Sequence, residues 1–261
     1  MTRIQTITLV VVGVIAVAIG GYVAYDQVLR GDSVAPLALP SSSPDTAAEA
    51  TPEPDPSETA SSEPTAAAYP TQAASTGTTD SLAGEWTVGD GSEAGYRVRE
   101  QLASLSAESD AVGRTSDVSG SATIAADGES IQLTAATIEV DTTTITSDED
   151  RRDNRLRSEG LETEQYPTAT FTLSEPVDVP SEALTGSVVD ITLTGDLTLH
   201  GVTKTVEIPA QAQLADGRIS VAGSTTFALA DFEIEAPNVG GFIISIADEG
   251  ALEFLVNLDP A

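Results

Sequence analysis

Apolar and polar residues alternate with a period of two through most of the C-terminal third of the chain. In SVVDITLTGDLTL, Val189, Ile191, Leu193, Leu197 and Leu199 share one parity, while Asp and Thr take the other. TVEIPAQAQL repeats the pattern at Val206, Ile208, Ala210, Ala212 and Leu214. RISVAGSTTFAL does so at Ile219, Val221, Phe227 and Leu229, and ALEFLVNL at Leu252, Phe254, Val256 and Leu258. Successive side chains of a strand point to opposite faces, so each run reads as a strand with one apolar face. ADG at 126–128 and at 215–217 supplies hairpin turns. With little helix to cover a flat sheet, the apolar face must close on a second sheet or on itself. Residues 82–260 therefore read as one all-β domain.

Two helical interruptions are expected. SDEDRRDNRLRSEG places Ser147 as N-cap and Asp150 three residues later, with acidic residues at the start, arginines after them and Gly160 as the stop. RVREQLASL, 97–105, reads as a second short helix. In the first, Asp148 with Arg152 and Asp153 with Arg157 fall at i,i+4. The same arginines, Arg151, Arg152, Arg155 and Arg157, could alternatively form an anion site for a phosphate head group.

The N-terminal third is different material. Ile4 to Tyr25 carries no charge, and its 22 residues would span roughly 33 Å as a helix, enough to cross a bilayer. Tyr22 and Tyr25 sit where an interfacial belt would. No convincing small-residue cleavage site precedes Asp26, so residues 1–30 read as an uncleaved anchor rather than a removed signal. Arg3 and the amino group, against Arg30, orient the N-terminus to the cytoplasm. Residues 31–80 hold eight of the fourteen prolines and eight acidic residues but no Lys or Arg, and read as a disordered linker. The domain then lies outside the plasma membrane on a single-pass anchor.

The net charge of −30 excludes a general nucleic-acid binder, which needs a basic footprint. The absence of cysteine excludes disulfides, thiolate chemistry and Cys-based zinc sites. No G-x-S-x-G or S-x-x-K motif supports hydrolysis, and carboxylate pairs are unavoidable among so many acidic residues. No cofactor, metal site or catalytic residue is expected. The single histidine and single lysine, His200 and Lys204, fall together in LTLHGVTKTVEI. The apolar parity changes across HGVT, so His200 and Gly201 read as a turn with an exposed imidazole. Lys204 shares the parity of Val202 and Val206 and could lean over the rim.

Several stretches together resemble the YceI-like family. GEWTVGDGSEAGYRVREQL resembles its opening strands, notably at Trp86, Ser92, Tyr96 and Val98. IEVDTTTITSDEDRRDNRLRSEGLETEQYPTATF resembles its central signature, and LTGDLTLHGVTKTVEIP its Leu-Thr-x-x-Gly-Val-Thr-Lys hairpin. The resemblance implies an extended antiparallel eight-stranded, lipocalin-like barrel with one or two short helices. It implies an aliphatic interior holding an isoprenoid lipid, such as a polyprenyl lipid or an isoprenoid quinone, and no catalytic residues.

On that reading the lining comes from Phe171, Ile191, Leu193, Leu197, Leu199, Val206, Ile208, Phe227 and Phe254, with Lys204, Arg152 and Arg155 as candidate head-group contacts. Aromatic residues are only 4% of the chain, leaving few bulky side chains to plug a barrel. Burying twenty prenyl carbons contributes on the order of 15 kcal/mol gross, before the costs of association. Partners expected are the lipid, the membrane and no nucleic acid, with room for a dimer or a membrane redox partner. The competing expectation is a non-catalytic stress or surface-interaction barrel packed by its own side chains.

Overall fold

The computed structural model describes residues 34–40, 82–102, 108–127, 130–236 and 243–261. The expected anchor, 1–30, lies outside the described residues, as does most of the expected linker. Among the described residues no helix is long and apolar enough to cross a membrane.

The domain is all-β. Its strands are β1 (Gly84–Val88), β2 (Glu93–Leu102), β3 (Ser109–Thr115), β4 (Val118–Asp127), β5 (Ser130–Asp141), β6 (Thr168–Leu173), β7 (Val177–Val179), β8 (Val189–Leu199), β9 (Val202–Ala215), β10 (Arg218–Ala228) and β11 (Ile243–Pro260). Neighbours run β1-β4-β5-β6-β8-β9-β10-β11, and β11 pairs again with β1, so an eight-membered antiparallel ring closes. Short β7 continues the β6 position by pairing with β5. β2 and β3 extend β1 and β4 toward one end, with β2 also paired to β11. Closure leaves the ring no free edge.

Alternation governs burial as the sequence suggested. In β8 the odd positions Val189, Ile191, Leu193, Leu197 and Leu199 are all buried. Two hairpins turn on two residues each. Leu199 pairs with Val202 around His200 (φ 51°) and Gly201 (φ 75°), and Ala215 pairs with Arg218 around Asp216 (φ 53°) and Gly217 (φ 78°). Two successive positive φ values make the type I′ turn whose twist matches paired strands.

Among the described residues one α-helix is present, α1 (Asp150–Arg155), continued by a wider turn over Leu156–Gly160 in which Leu161 N–H reaches the Leu156 carbonyl at 2.7 Å. Its cap is Glu149, which accepts from Arg151 N–H, and not Ser147. Ser147 instead directs its N–H and Oγ to the buried Asp153 carboxylate. Of the two expected i,i+4 pairs, Asp148–Arg152 forms, while Arg157 turns to the Ile145 carbonyl and Asn154.

Over the described residues of its range the second expected helix is not formed. Residues 97–102 belong to β2, where Arg97 to Glu100 pair with β3 and with β11. Helix-forming Arg, Glu, Gln and Leu are overridden there by a ladder on both sides.

Residues 34–40 lie against the outside of the wall. The Val34 carbonyl accepts from Arg97 Nη2 at 2.8 Å and the Ala35 carbonyl from Arg114 Nη2. Leu37 and Ala38 border a groove with Asp190, Gln211 and Ser224. Beneath this strap Glu253 is 3% exposed and shared by Arg114 (2.7 Å) and Arg97 (3.5 Å).

Candidate functional site: an apolar cavity along the barrel

The inward faces do not fill the barrel. A cavity of about 240 Å³ remains between them, larger than the ~150 Å³ apolar cavities that stay dry and take up small hydrocarbons. It runs from Val256, Leu258 and Ala122 near β1 to Arg152, Leu156 and Leu161 near α1. Small side chains on the inward faces, Ala111, Ala122, Ala136 and Ala169, keep it open.

Of the nine residues expected to line the interior, seven do: Phe171, Leu193, Leu197, Leu199, Ile208, Phe227 and Phe254. Ile191 and Val206 pack within the wall against these residues and do not border the cavity. Arg152 and Arg155 both reach the lining. Lys204 does not; it is 48% exposed, with Nζ 3.9 Å from Asp231.

The ends of the cavity differ in chemistry. Near β1, Trp86 (3% exposed) closes the core with Leu82, Ala122 and Leu258, and its Nε1–H donates to the Leu82 carbonyl at 2.9 Å. Near α1, Glu100 projects inward from β2 and meets Arg152 from the helix in a buried ion pair. Arg152 also donates to Ser147 Oγ at 3.1 Å and to Asp148. Its guanidinium is held above the ordinary value: burial opposes the charge, but bonds to Glu100 and Asp148 outweigh it. Arg155 pairs with Glu159 on its own helix. These cations are therefore engaged and do not form the open anion site that four clustered arginines suggested.

His200 is likewise not exposed. Its side chain is 9% exposed, Nδ1 lies 3.0 Å from the Phe232 carbonyl and Nε2 3.0 Å from Glu162 Oε2, and Tyr166 packs edge-on at 4.7 Å. The imidazole fastens the turn to its neighbours. Among the described residues no group of His, Cys, Asp and Glu could hold a metal.

The YceI-like domain pattern matches residues 71–258. The chain belongs to the YceI-like family. UPF0312 proteins of Vibrio campbellii and Shewanella baltica are similar to this chain at 33% identity over 124 and 132 residues, 45% and 48% of its length. The matches span 62% and 64% of those relatives' length, so less than two thirds of each is covered. Among solved structures, a polyisoprenoid binding domain from Saccharophagus degradans, implicated in plant cell wall breakdown, shares the fold. Its TM-score is 0.51 at 20% identity, over 68% of this chain and 98% of that one.

Two features of this YceI-like barrel escaped sequence reading. Glu100 is a buried charge whose partner Arg152 is 52 residues away. Tyr96, quoted above only for its resemblance to the family, lines the cavity beside that pair. The parity of Tyr96, Val98 and Glu100 was the available signal, masked by helix-forming neighbours.

Proposed function

We propose that this chain is a membrane-anchored, extracytoplasmic binding protein whose barrel holds an isoprenoid lipid, a polyprenyl lipid or an isoprenoid quinone, for carriage, storage or protection. The observation that carries this reading is the cavity, long, lined by aliphatic and Phe side chains, and left unfilled by them. An unbranched set of polar ligands would find few partners there, whereas a prenyl chain would exchange water for apolar wall along its length. The fold neighbour from Saccharophagus degradans, named for polyisoprenoid binding, supports the choice of lipid. The uncharged stretch Ile4–Tyr25 supports the anchor. The role requires no catalytic group. A barrel packed by its own side chains, the competing expectation, sits poorly with the open interior.

The test is extraction of the full chain, purified from a lipid-containing host, followed by mass spectrometry. Recovery of about one isoprenoid per barrel is expected. An empty barrel that also fails to take up polyprenols or quinones rejects the reading. Accessibility of the domain to protease added outside intact cells checks its location.

A further inference from the structure

Among the described residues, two buried side-chain polar atoms have no hydrogen-bond partner, the hydroxyls of Tyr96 and Ser109. Both belong to the β2–β3 hairpin at the α1 end, where Tyr96 pairs with Gly113 and Ser109 with Glu100. Tyr96 is 9% exposed and lines the cavity. A buried hydroxyl without a partner lowers stability, so native folds rarely leave one.

Acceptors stand near enough to act on it electrostatically: Asp153, Glu100 and Asp148. Each is committed elsewhere. Glu100 and Asp148 hold Arg152, and Asp153 accepts from Ser147 N–H and Oγ. The ring is also fixed. It lies across the backbone of Gly113, where an added Cβ would stand 2.4 Å from Tyr96 Cε1 and 3.0 Å from Ile145 Cγ2. The fold thus immobilises a phenol on the cavity wall and leaves its donor unused.

Burial pushes the Tyr96 hydroxyl up to about 12, so it keeps its proton and donates. The charges acting on it are one cation, Arg152, against three carboxylates, and the other lining arginine, Arg155, is paired with Glu159. A phosphate or carboxylate arriving here would meet no lining arginine that lacks a carboxylate partner.

The geometry points to Tyr96 as the hydrogen-bond donor to an uncharged oxygen on an isoprenoid head group, a quinone carbonyl or a polyprenol hydroxyl, with phosphorylated heads disfavoured. This assignment rests on the barrel being an isoprenoid site. It selects among the lipids allowed above.

The delipidated full chain and its Tyr96→Phe variant would be titrated with four ligands of matched chain length. These are a prenylated naphthoquinone, a polyprenol, a polyprenyl phosphate and headless squalene. Wild type should bind the quinone or the polyprenol about three- to tenfold more tightly than squalene, the worth of one neutral hydrogen bond. The phosphate should gain nothing over squalene. Which neutral ligand gains more separates the carbonyl from the hydroxyl source.

Tyr96→Phe should erase that advantage, leave squalene unchanged, and melt no lower without ligand, since an unpaired hydroxyl is all that is removed. A variant that keeps the advantage, or a wild type that prefers the phosphate, overturns the assignment. So does an unliganded variant that melts markedly lower or fails to fold, because the hydroxyl would then be structural. Uptake of all four ligands alike would remove the Tyr96 assignment while leaving the barrel reading standing. Uptake of none would remove both.

Discussion

The two ends of this barrel solve the same problem differently. At the β1 end the buried polar side chains of Trp86, Ser220 and Gln213 are answered by the chain itself. Trp86 Nε1 donates to Leu82, Ser220 Oγ to Asn257 Oδ1 at 2.7 Å, and Gln213 Nε2 to the Gly186 carbonyl at 2.7 Å. At the α1 end, charge is brought inside and balanced through Glu100 and Arg152, and the hydroxyls of Tyr96 and Ser109 are left over. The first end behaves like the interior of any stable domain. The second accepts a cost in stability, which is the mark of a surface organised around something other than folding.

The largest expected effect lies at the closed end. Trp86→Ala removes a 3%-exposed indole and should cost about 3–5 kcal/mol in denaturant unfolding. A loss under 1 kcal/mol would mean that this end is not the barrel's structural plug. At the other end, Arg152→Met should cost about 3 kcal/mol by leaving Glu100 buried without its partner. Most of that should return in the double variant with Glu100→Gln, because removing both charges removes the imbalance. A double variant as unstable as the single one would show that Arg152 matters through packing instead.

A smaller effect separates the ends by pH. Tyr96 in the folded protein holds its proton to about 12, against 10.0 when unperturbed, so between these values the native state binds more protons than the unfolded one. That contribution is intact below pH 10 and is lost as pH climbs toward 12, by roughly 3 kcal/mol at most. Ultraviolet titration should show one tyrosine ionising late, and Tyr96→Phe should abolish that phase. The smallest effect is expected at Lys204→Ala, within about 0.5 kcal/mol for stability and without change in the affinity for neutral isoprenoids. A clear loss of affinity would place the head group at the rim near Asp231 rather than beside Tyr96.

The regular strands and their turns were legible because the information is local. Parity in β8 and β9 reports burial directly, and a His-Gly or Asp-Gly pair between two apolar runs reports a type I′ turn. Part of the cavity lining, Leu193, Leu197, Leu199 and Ile208 among it, followed from the same parity. What stayed hidden depends on partners distant in sequence. Arg97 to Glu100 look helical until β3 and β11 flank them, and Glu100 looks like a surface charge until Arg152 arrives from α1. His200 looked exposed because its protectors, Glu162 and Phe232, lie 38 and 32 residues away. Asp153 looked like a partner for Arg157, yet Ser147 claims it through a short loop whose closure no helical spacing encodes.

The strap of residues 34–40 has a mechanical consequence. The chain meets the barrel at two separate ports: the outer wall at Arg97 and Arg114, and the β1 end, where Leu82 enters the core. Both contacts are made with the same barrel. A pull applied ahead of Val34 is therefore delivered first to two guanidinium contacts and the Glu253 they share.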